Sequence, residues 1–170
     1  MSAATPTQDG RRQPVTSLLT IGLDLDWAAA HLGHKLDMPT VRAAVAKGLQ
    51  EFDAVPDLFH ETYFFVPDDD DEVDNNNQEN DDDRIRDEGR GVWAESERKI
   101  RGGGHQGRPW DGVCIGWGLR GQPDMTVVFE RMVNLVREAS PGSRLVFAGP
   151  AADHFGTAKR NWPNLRKVDQ

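Results

Sequence analysis

Residues 111–148 read DGVCIGWGLRGQPDMTVVFERMVNLVREASPGSRLVFA and predict a strand, a helix and a second strand. The apolar run from Asp111 to Trp117 is typical of a strand buried on both faces. After a glycine-rich loop, Pro123 begins a helix, and Pro141-Gly142 ends it before a strand over Ser143 to Ala148. Its apolar face is formed by residues at helical spacing, namely Met125, Val128, Phe129, Met132, Leu135, Val136 and Ala139.

The same alternation continues toward the N-terminus. Ser17 to Asp24 is an apolar run that predicts a first buried strand, followed by a loop over residues 25–38. A helix then begins at Asp37 or Met38, and Leu58 to Val66 is an aromatic-rich strand. The apolar face of that helix is predicted to be Val41, Ala44, Val45, Gly48, Leu49 and Phe52.

Two shorter helices complete the predicted pattern. One runs from Gly91 or Val92 to Ile100 and ends at a run of three glycines. The other runs from Ala152 to Asn161. Strands that alternate with helices predict an α/β fold, here a small, mostly parallel four-stranded sheet with helices on both faces. We expect a flavodoxin-like or Rossmann-like arrangement with strand order 2-1-3-4 and a ligand crevice where the first and third strands part. Because both sheet edges would be unpaired, a homodimer is also expected.

The negative charge is concentrated in one tract. Of the 28 acidic residues in the chain, twelve lie between Asp68 and Glu88, where Arg84 and Arg86 are the basic residues. The rest is nearly neutral, which gives no electrostatic reason to expect nucleic-acid binding. We predict a disordered N-terminal tail over 1–16, and one α/β domain over 17–170 with a disordered acidic insertion at 68–90.

Several other classes are disfavoured by what the sequence lacks. The single cysteine, Cys114, excludes an internal disulfide and a cysteine-rich zinc site, and its apolar neighbours predict a buried, inert thiol. No apolar stretch reaches the ~18 residues that a membrane span requires. Residues 1–17 lack the apolar core of a secretory signal, so we expect a soluble, cytoplasmic protein.

Polar side chains follow the first predicted strand. Asp24 and Asp26 are candidates for holding magnesium or for acid–base chemistry, and His31 is a third candidate catalytic residue. The motif Leu23-Asp-Leu-Asp26 has the acidic pair of a phosphatase nucleophile strand, but Trp27 replaces the small hydroxyl residue expected next. For each aspartate taken alone, we favour the interpretation that it caps a turn through backbone amides. No dedicated metal site is predicted.

The loop after the third strand favours anion binding. It opens onto a helix N-terminus, its glycines allow close approach, and Arg120 matches carboxylate or phosphate geometry. Its letters fit G-x-G-x-x-G, but the helix begins only after the third glycine and no acidic residue ends the next strand, which disfavours a dinucleotide and leaves the cofactor unknown. A fourth loop adds Asp153, which alternatively caps the last helix, and His154. The predicted ligand-binding residues are Gly116, Trp117, Gly118, Arg120, Gly121 and Asp153.

The segments 111–120, 129–137 and 144–147 resemble a family of small uncharacterised proteins of fungi and bacteria. The resemblance implies a Rossmann-like or flavodoxin-like core. It covers the C-terminal third and the strand–helix order before it, and the acidic insertion departs from it. Because no activity is established for that family, the resemblance implies nothing about chemistry.

Three functional hypotheses follow from the sequence. The first is a site for a small anionic metabolite at the C-terminal edge of the sheet, between the glycine loop and the loop that carries Asp24 and Asp26. The second is a non-catalytic interaction protein that uses the acidic insertion and the sheet edges. The third is a magnesium-dependent, phosphatase-like enzyme. Whether the protein is an enzyme stays open at this point.

Overall fold

The computed structural model describes residues 15–68, 91–150 and 152–168. Its four strands form one sheet in which every neighbouring pair is parallel, with the order β2-β1-β3-β4. This confirms the predicted α/β class and the predicted strand order. The strands are β1 (Thr16–Leu23), β2 (Leu58–Phe65), β3 (Gly112–Ile115) and β4 (Arg144–Phe147).

Helices connect the strands and cover the sheet. The α-helices are α1 (Leu25–Leu32), α2 (Met38–Asp53), α3 (Val92–Arg101), α4 (Trp117–Arg120), α5 (Thr126–Ala139) and α6 (His154–Asn161). Short 3-10 turns lie at His105–Gly107 and Pro123–Met125. The helices α2 and α6 pack against each other, and so do α3 and α5.

The two faces of the sheet carry separate cores because side chains alternate along each strand. On one face, Ile21 and Ile115 are fully buried with Met132 and Val136 of α5 and Ile100 of α3. We call this the α5 face. On the other, the α2 face, the buried residues are Leu18, Cys114 and Val146 of the strands with Phe52 of α2 and Ala158 of α6. Helices therefore cover both faces, as predicted.

The segment after β1 differs from the sequence-based expectation. Residues 25–38 were expected to form a loop, but Leu25–Leu32 is the helix α1. The carboxylate of Asp24 caps this helix by accepting from the amides of Asp26 and Trp27 at 3.0 and 2.8 Å. Capping satisfies amides that the first turn leaves unpaired, and Ala28, Ala29 and Ala30 are strong helix formers.

Other boundaries shift less. Thr16, placed in the N-terminal tail from sequence, is the first residue of β1 and pairs with Leu58. The loop after β3 contains the single turn α4. The rest of the predicted tail, residues 1–14, and residues 69–90 of the predicted acidic insertion lie outside the described residues.

The edges of the sheet are β2 and β4. The predicted homodimer stays a prediction, since the structure describes one chain. In the described ranges no helix combines the length and the apolar character needed to cross a membrane.

Candidate functional site

A cavity opens at the C-terminal end of the sheet, on the α2 face. Its volume is about 120 Å³. Its floor is formed by strand residues and by the residues that directly follow β3 and β4. These floor residues are Thr20, Gly22, Thr62, Phe64, Gly116 and Ala148. Open parallel sheets bind ligands beyond the carboxyl ends of their strands, at the point where the strand order reverses, and β1 and β3 meet at that point here.

The cavity exists because the floor side chains other than that of Phe64 are small. Thr20 pairs in register with Thr62 on one side and with Cys114 on the other, and Gly22 pairs with Phe64. Gly22 and Gly116 have no side chain to fill the space between the sheet and α2. Helix α2 forms the opposite wall with the apolar residues Val41, Ala44, Val45 and Leu49.

The remaining walls come from three loops and two short helices. Leu25 and Ala28 of α1, Trp117 and Gly118 of α4, and the residues between β4 and α6 complete the lining. Ala152, in the last of these loops, has a φ of 50°. This left-handed backbone conformation is uncommon for an L-residue other than glycine and costs roughly 1–2 kcal/mol. Strained backbone of this kind is concentrated at functional sites in proteins.

The lining is mainly apolar. Among the described residues that line the cavity there is no Asp, Glu, Lys or Arg. The polar side chains are those of Thr20, Thr62, Gln122 and His154. An apolar enclosure with a few polar groups is the usual form of a small-molecule site.

Two of these polar side chains are buried without partners in the described part of the chain. His154 is 6% exposed and Thr20 is 2% exposed. Both ring nitrogens of His154 and the Oγ1 atom of Thr20 make no hydrogen bond. Burial lowers the pKa of His154, and the nearby carboxylates of Asp153 and Glu51 oppose that shift only in part. The ring is therefore neutral at pH 7, with one donor and one acceptor nitrogen.

The three candidate catalytic residues lie on α1 or at its start, and none of them lines the cavity. Asp24 caps α1 through its Oδ1 atom. Asp26 forms an exposed ion pair with Arg42 at 2.6 Å. The exposed ring of His31 stacks on Trp27 with centroids 4.2 Å apart, and its Nδ1 lies 2.9 Å from the Trp27 carbonyl oxygen. Asp24 therefore acts as a helix cap, and its partners are the backbone amides of Asp26 and Trp27.

The glycine loop contributes its backbone and Trp117 to the cavity, but not Arg120. The Arg120 guanidinium is centred 4.7 Å from the Trp117 ring and donates to the Ala148 carbonyl oxygen at 3.2 Å. Gly121 has a packing role: a Cβ atom there would lie 2.2 Å from the Trp117 indole. Gly116 is also tightly packed, since a Cβ atom would lie 3.2 Å from the Ile21 carbonyl oxygen.

The remaining polar candidates have structural partners or are inert. Asp153 caps α6 by accepting from the Gly156 amide at 2.9 Å. The Cys114 thiol is buried, as predicted, and burial raises its pKa to about 12. Within the described ranges, no group of three or more His, Cys, Asp or Glu residues is placed to hold a metal ion.

The cavity lies at the end of the sheet where the sequence analysis predicts a site, but most of its lining residues are not among the predicted ones. The sequence analysis gives Thr20 and Thr62 no role beyond their strands, assigns the α2 wall to the apolar face of a helix, and names His154 only beside Asp153. A signal was present in β1: Thr20 and Gly22, two residues apart, interrupt an otherwise large and apolar run. Two small or polar residues at that spacing fall on one face of a strand and leave a gap there.

The fold and the cavity define a doubly wound α/β protein with an apolar, ligand-sized cavity at the switch point of its sheet. No protein-family model, curated protein sequence or solved structure matches the chain. The resemblance to the fungal and bacterial family therefore stays a prediction, and the functional argument depends on the site itself.

Proposed function

We propose that the protein binds a small, uncharged, mainly apolar molecule in the cavity at the C-terminal end of the sheet. The observation that carries this proposal is the cavity lining, which combines an apolar surface with buried polar atoms that lack partners. Native proteins rarely leave such atoms unpaired, and a ligand supplies the missing partner.

The cavity volume limits the size of the ligand. Apolar protein cavities of about 150 Å³ accommodate benzene. A cavity of about 120 Å³ that opens to solvent fits one aromatic ring or a short branched aliphatic chain, with any larger part of the ligand outside the mouth.

A cavity-filling variant tests the proposal directly. Ala44 lies on the wall that α2 contributes, whereas Ala46 is exposed on the same helix. We expect Ala44→Leu to abolish the binding of a small aromatic probe such as phenol or toluene, detected by NMR chemical-shift perturbation. Ala46→Leu makes the same chemical change outside the cavity and is expected to bind the probe as the parent does. Equal binding by both variants, or no probe binding by the parent, would contradict the proposal.

The anionic metabolite predicted from sequence is a second candidate, favoured by one observation. Arg120 is exposed and contacts Trp117 and Ala148, both of which line the cavity. An anion at the cavity rim would meet this guanidinium. Arg120→Ala is then expected to weaken the binding of carboxylates and phosphates while leaving uncharged probes unaffected.

The other two hypotheses have less support. Magnesium-dependent phosphatase chemistry would need Asp24 as nucleophile or ligand, but its Oδ1 accepts two backbone amides and Asp26 is paired with Arg42. Phosphate release that depends on magnesium and is abolished by Asp24→Asn is the result that would restore it. The interaction role of the acidic insertion concerns residues outside the described part of the chain.

A further inference from the structure

His154 is held in a fixed position beside the cavity. It is the first residue of α6, directly after the capping residue Asp153, and its amide donates to the Ala152 carbonyl oxygen at 2.7 Å. Its ring lies against Phe52 with centroids 5.9 Å apart. It also lies so close to Gly48 that a Cβ atom there would be 2.6 Å from the ring.

This packing makes the unpaired ring nitrogens costly. An exposed histidine turns its nitrogens toward water, but a ring confined by Phe52 and by the Gly48 backbone has little freedom to turn. Folding therefore buries both nitrogens without supplying a protein partner within the described residues. Such a cost is retained in binding sites because a ligand offsets it.

Thr20 offers a second polar atom on the cavity floor. Its hydroxyl has no hydrogen-bond partner in the described ranges of the chain, and a change of χ1 rotamer moves the hydroxyl to the position of the methyl group. A ligand that contacts the Thr20 side chain is therefore within reach of the hydroxyl. Thr20 and His154 both line the cavity, one from the sheet and the other from α6.

We infer that His154 and Thr20 anchor the ligand by hydrogen bonds and that the ligand group they recognise is a hydroxyl, so that the ligand is an alcohol or a phenol. This inference rests on the proposed function, and it names the class of molecule that the cavity selects. A neutral imidazole and a threonine hydroxyl together present both donors and acceptors, which a hydroxyl group satisfies from either side. A carboxylate offers acceptors only and would leave the acceptor nitrogen of His154 unpaired.

The charges around His154 also favour an uncharged ligand. Asp153 precedes it on α6, and Glu51 faces it from α2, where Glu51 is paired with Lys167 at 2.8 Å. His60 of β2 is the remaining titratable neighbour, and its Nε2 contacts Asp53 at 3.2 Å. Among the described residues, these surroundings place carboxylates and no unpaired cation near the ring, so they do not attract an anion.

The inference predicts a characteristic pH dependence. When His154 is protonated, both ring nitrogens become donors and the ring loses its acceptor. Binding of an alcohol or phenol that donates to this ring is then expected to weaken as the pH falls from 7.5 to 5. Binding of a carboxylate would instead strengthen over the same range, because imidazolium attracts it.

Three aromatic probes of similar shape separate the alternatives: phenol, toluene and benzoate, titrated into the full chain and followed by NMR or calorimetry. We expect phenol to bind at least about ten-fold more tightly than toluene, which corresponds to the loss of one or two hydrogen bonds. Thr20→Val and His154→Leu are each expected to reduce phenol affinity to that of toluene, with toluene affinity unchanged. Thr157→Val is the matched control, since Thr157 is 1% exposed with an unpaired Oγ1 but does not line the cavity.

Each possible result of these titrations either supports or overturns the hydroxyl inference. Equal affinities for phenol and toluene, or phenol binding that both variants leave unchanged, overturn the hydroxyl inference while the proposed apolar-ligand function stands. Tighter binding of benzoate, strengthening at low pH, overturns it in favour of an anion. Failure of all three probes overturns the proposed function and the inference together.

Discussion

Replacing Thr20 by valine is expected to stabilise the ligand-free protein. Valine has the shape and β-branching of threonine, so β1 keeps its geometry and only the hydroxyl is exchanged for a methyl group. Thr20 is 2% exposed, and its Oγ1 has no hydrogen-bond partner in the described structure. The substitution therefore removes a desolvated polar atom and loses no bond.

The size of the effect follows from the environment of the hydroxyl. An unsatisfied buried polar group costs about 1–3 kcal/mol, and a residue beside an open cavity recovers part of that from transient water. We therefore expect the free energy of unfolding to rise by about 1 kcal/mol, which is roughly a 2–4 °C increase in Tm for a domain of this size.

Urea denaturation followed by tryptophan fluorescence provides the measurement, because the chain has five tryptophans. The expected result is a higher midpoint at an unchanged m-value. Thr157→Val should give a similar gain, but only Thr20→Val should also lose phenol binding. A decrease of 1 kcal/mol or more for Thr20→Val would show that the hydroxyl has a partner in the folded state, and the reasoning would be refuted.

Three further predictions concern the surroundings of the cavity. Gly48→Ala gains about 1 kcal/mol in helix propensity, but its Cβ would lie 2.3 Å from the Ala152 carbonyl oxygen. We therefore expect the free energy of unfolding, measured by urea titration, to fall by about 1–2 kcal/mol. A rise would contradict the close packing. Folding lowers the pKa of His154 from its ordinary 6.5, so the unfolded chain takes up the proton first as the pH falls. The free energy of unfolding should therefore decrease by up to about 1.4 kcal/mol between pH 7.5 and 5.5. His154→Leu should remove this contribution of His154 to the pH dependence. If the variant retains the full pH dependence, His154 is not buried in its neutral form. With its pKa raised to about 12, the Cys114 thiol should react with iodoacetamide at pH 8 roughly a thousand-fold more slowly in the folded than in the unfolded protein, as followed by mass spectrometry; comparable rates would place the thiol at the surface.

The architecture was predictable because it depends on patterns that repeat over many residues. Each strand is a short segment rich in apolar or aromatic residues, and the faces of α2 and α5 follow helical spacing over 16 and 14 residues. Alternation of these elements leaves few topologies once crossovers are right-handed, so the order β2-β1-β3-β4 followed. The helix α1 was missed because its eight residues are few for a periodic signal, and its start depends on a single capping carboxylate, that of Asp24.

The candidate site was predictable in location but not in composition. The cavity lies at the strand ends, as the candidate site was predicted to do, and Trp117, Gly116 and Gly118 line it. From the sequence, charged residues are the obvious candidates to contact a ligand, because charge can be identified from residue type alone. In the folded chain, however, Asp24 and Asp153 cap helices and Arg120 stacks on Trp117.

A cavity is the space that the surrounding side chains leave empty, and its position depends on contacts between segments distant in sequence. Thr20 and Gly22 interrupt β1, but only the register with Thr62 and Phe64 and the position of α2 turn the interruption into a cavity. The unpaired state of His154 likewise depends on Phe52 and on the Gly48 backbone, more than a hundred residues earlier in the chain.

The proposed function requires that a small molecule occupies the cavity on the α2 face of the sheet. An NMR titration of methyl-labelled protein with phenol tests it most directly, since methyl groups report contacts on each face separately. Val45 and Leu49 of α2 line the cavity, whereas Val128 and Val136 of α5 are buried on the opposite face. We predict large, saturable shifts for the first pair and small ones for the second. Shifts confined to the α5 face, or none at either face at millimolar phenol, would contradict the account.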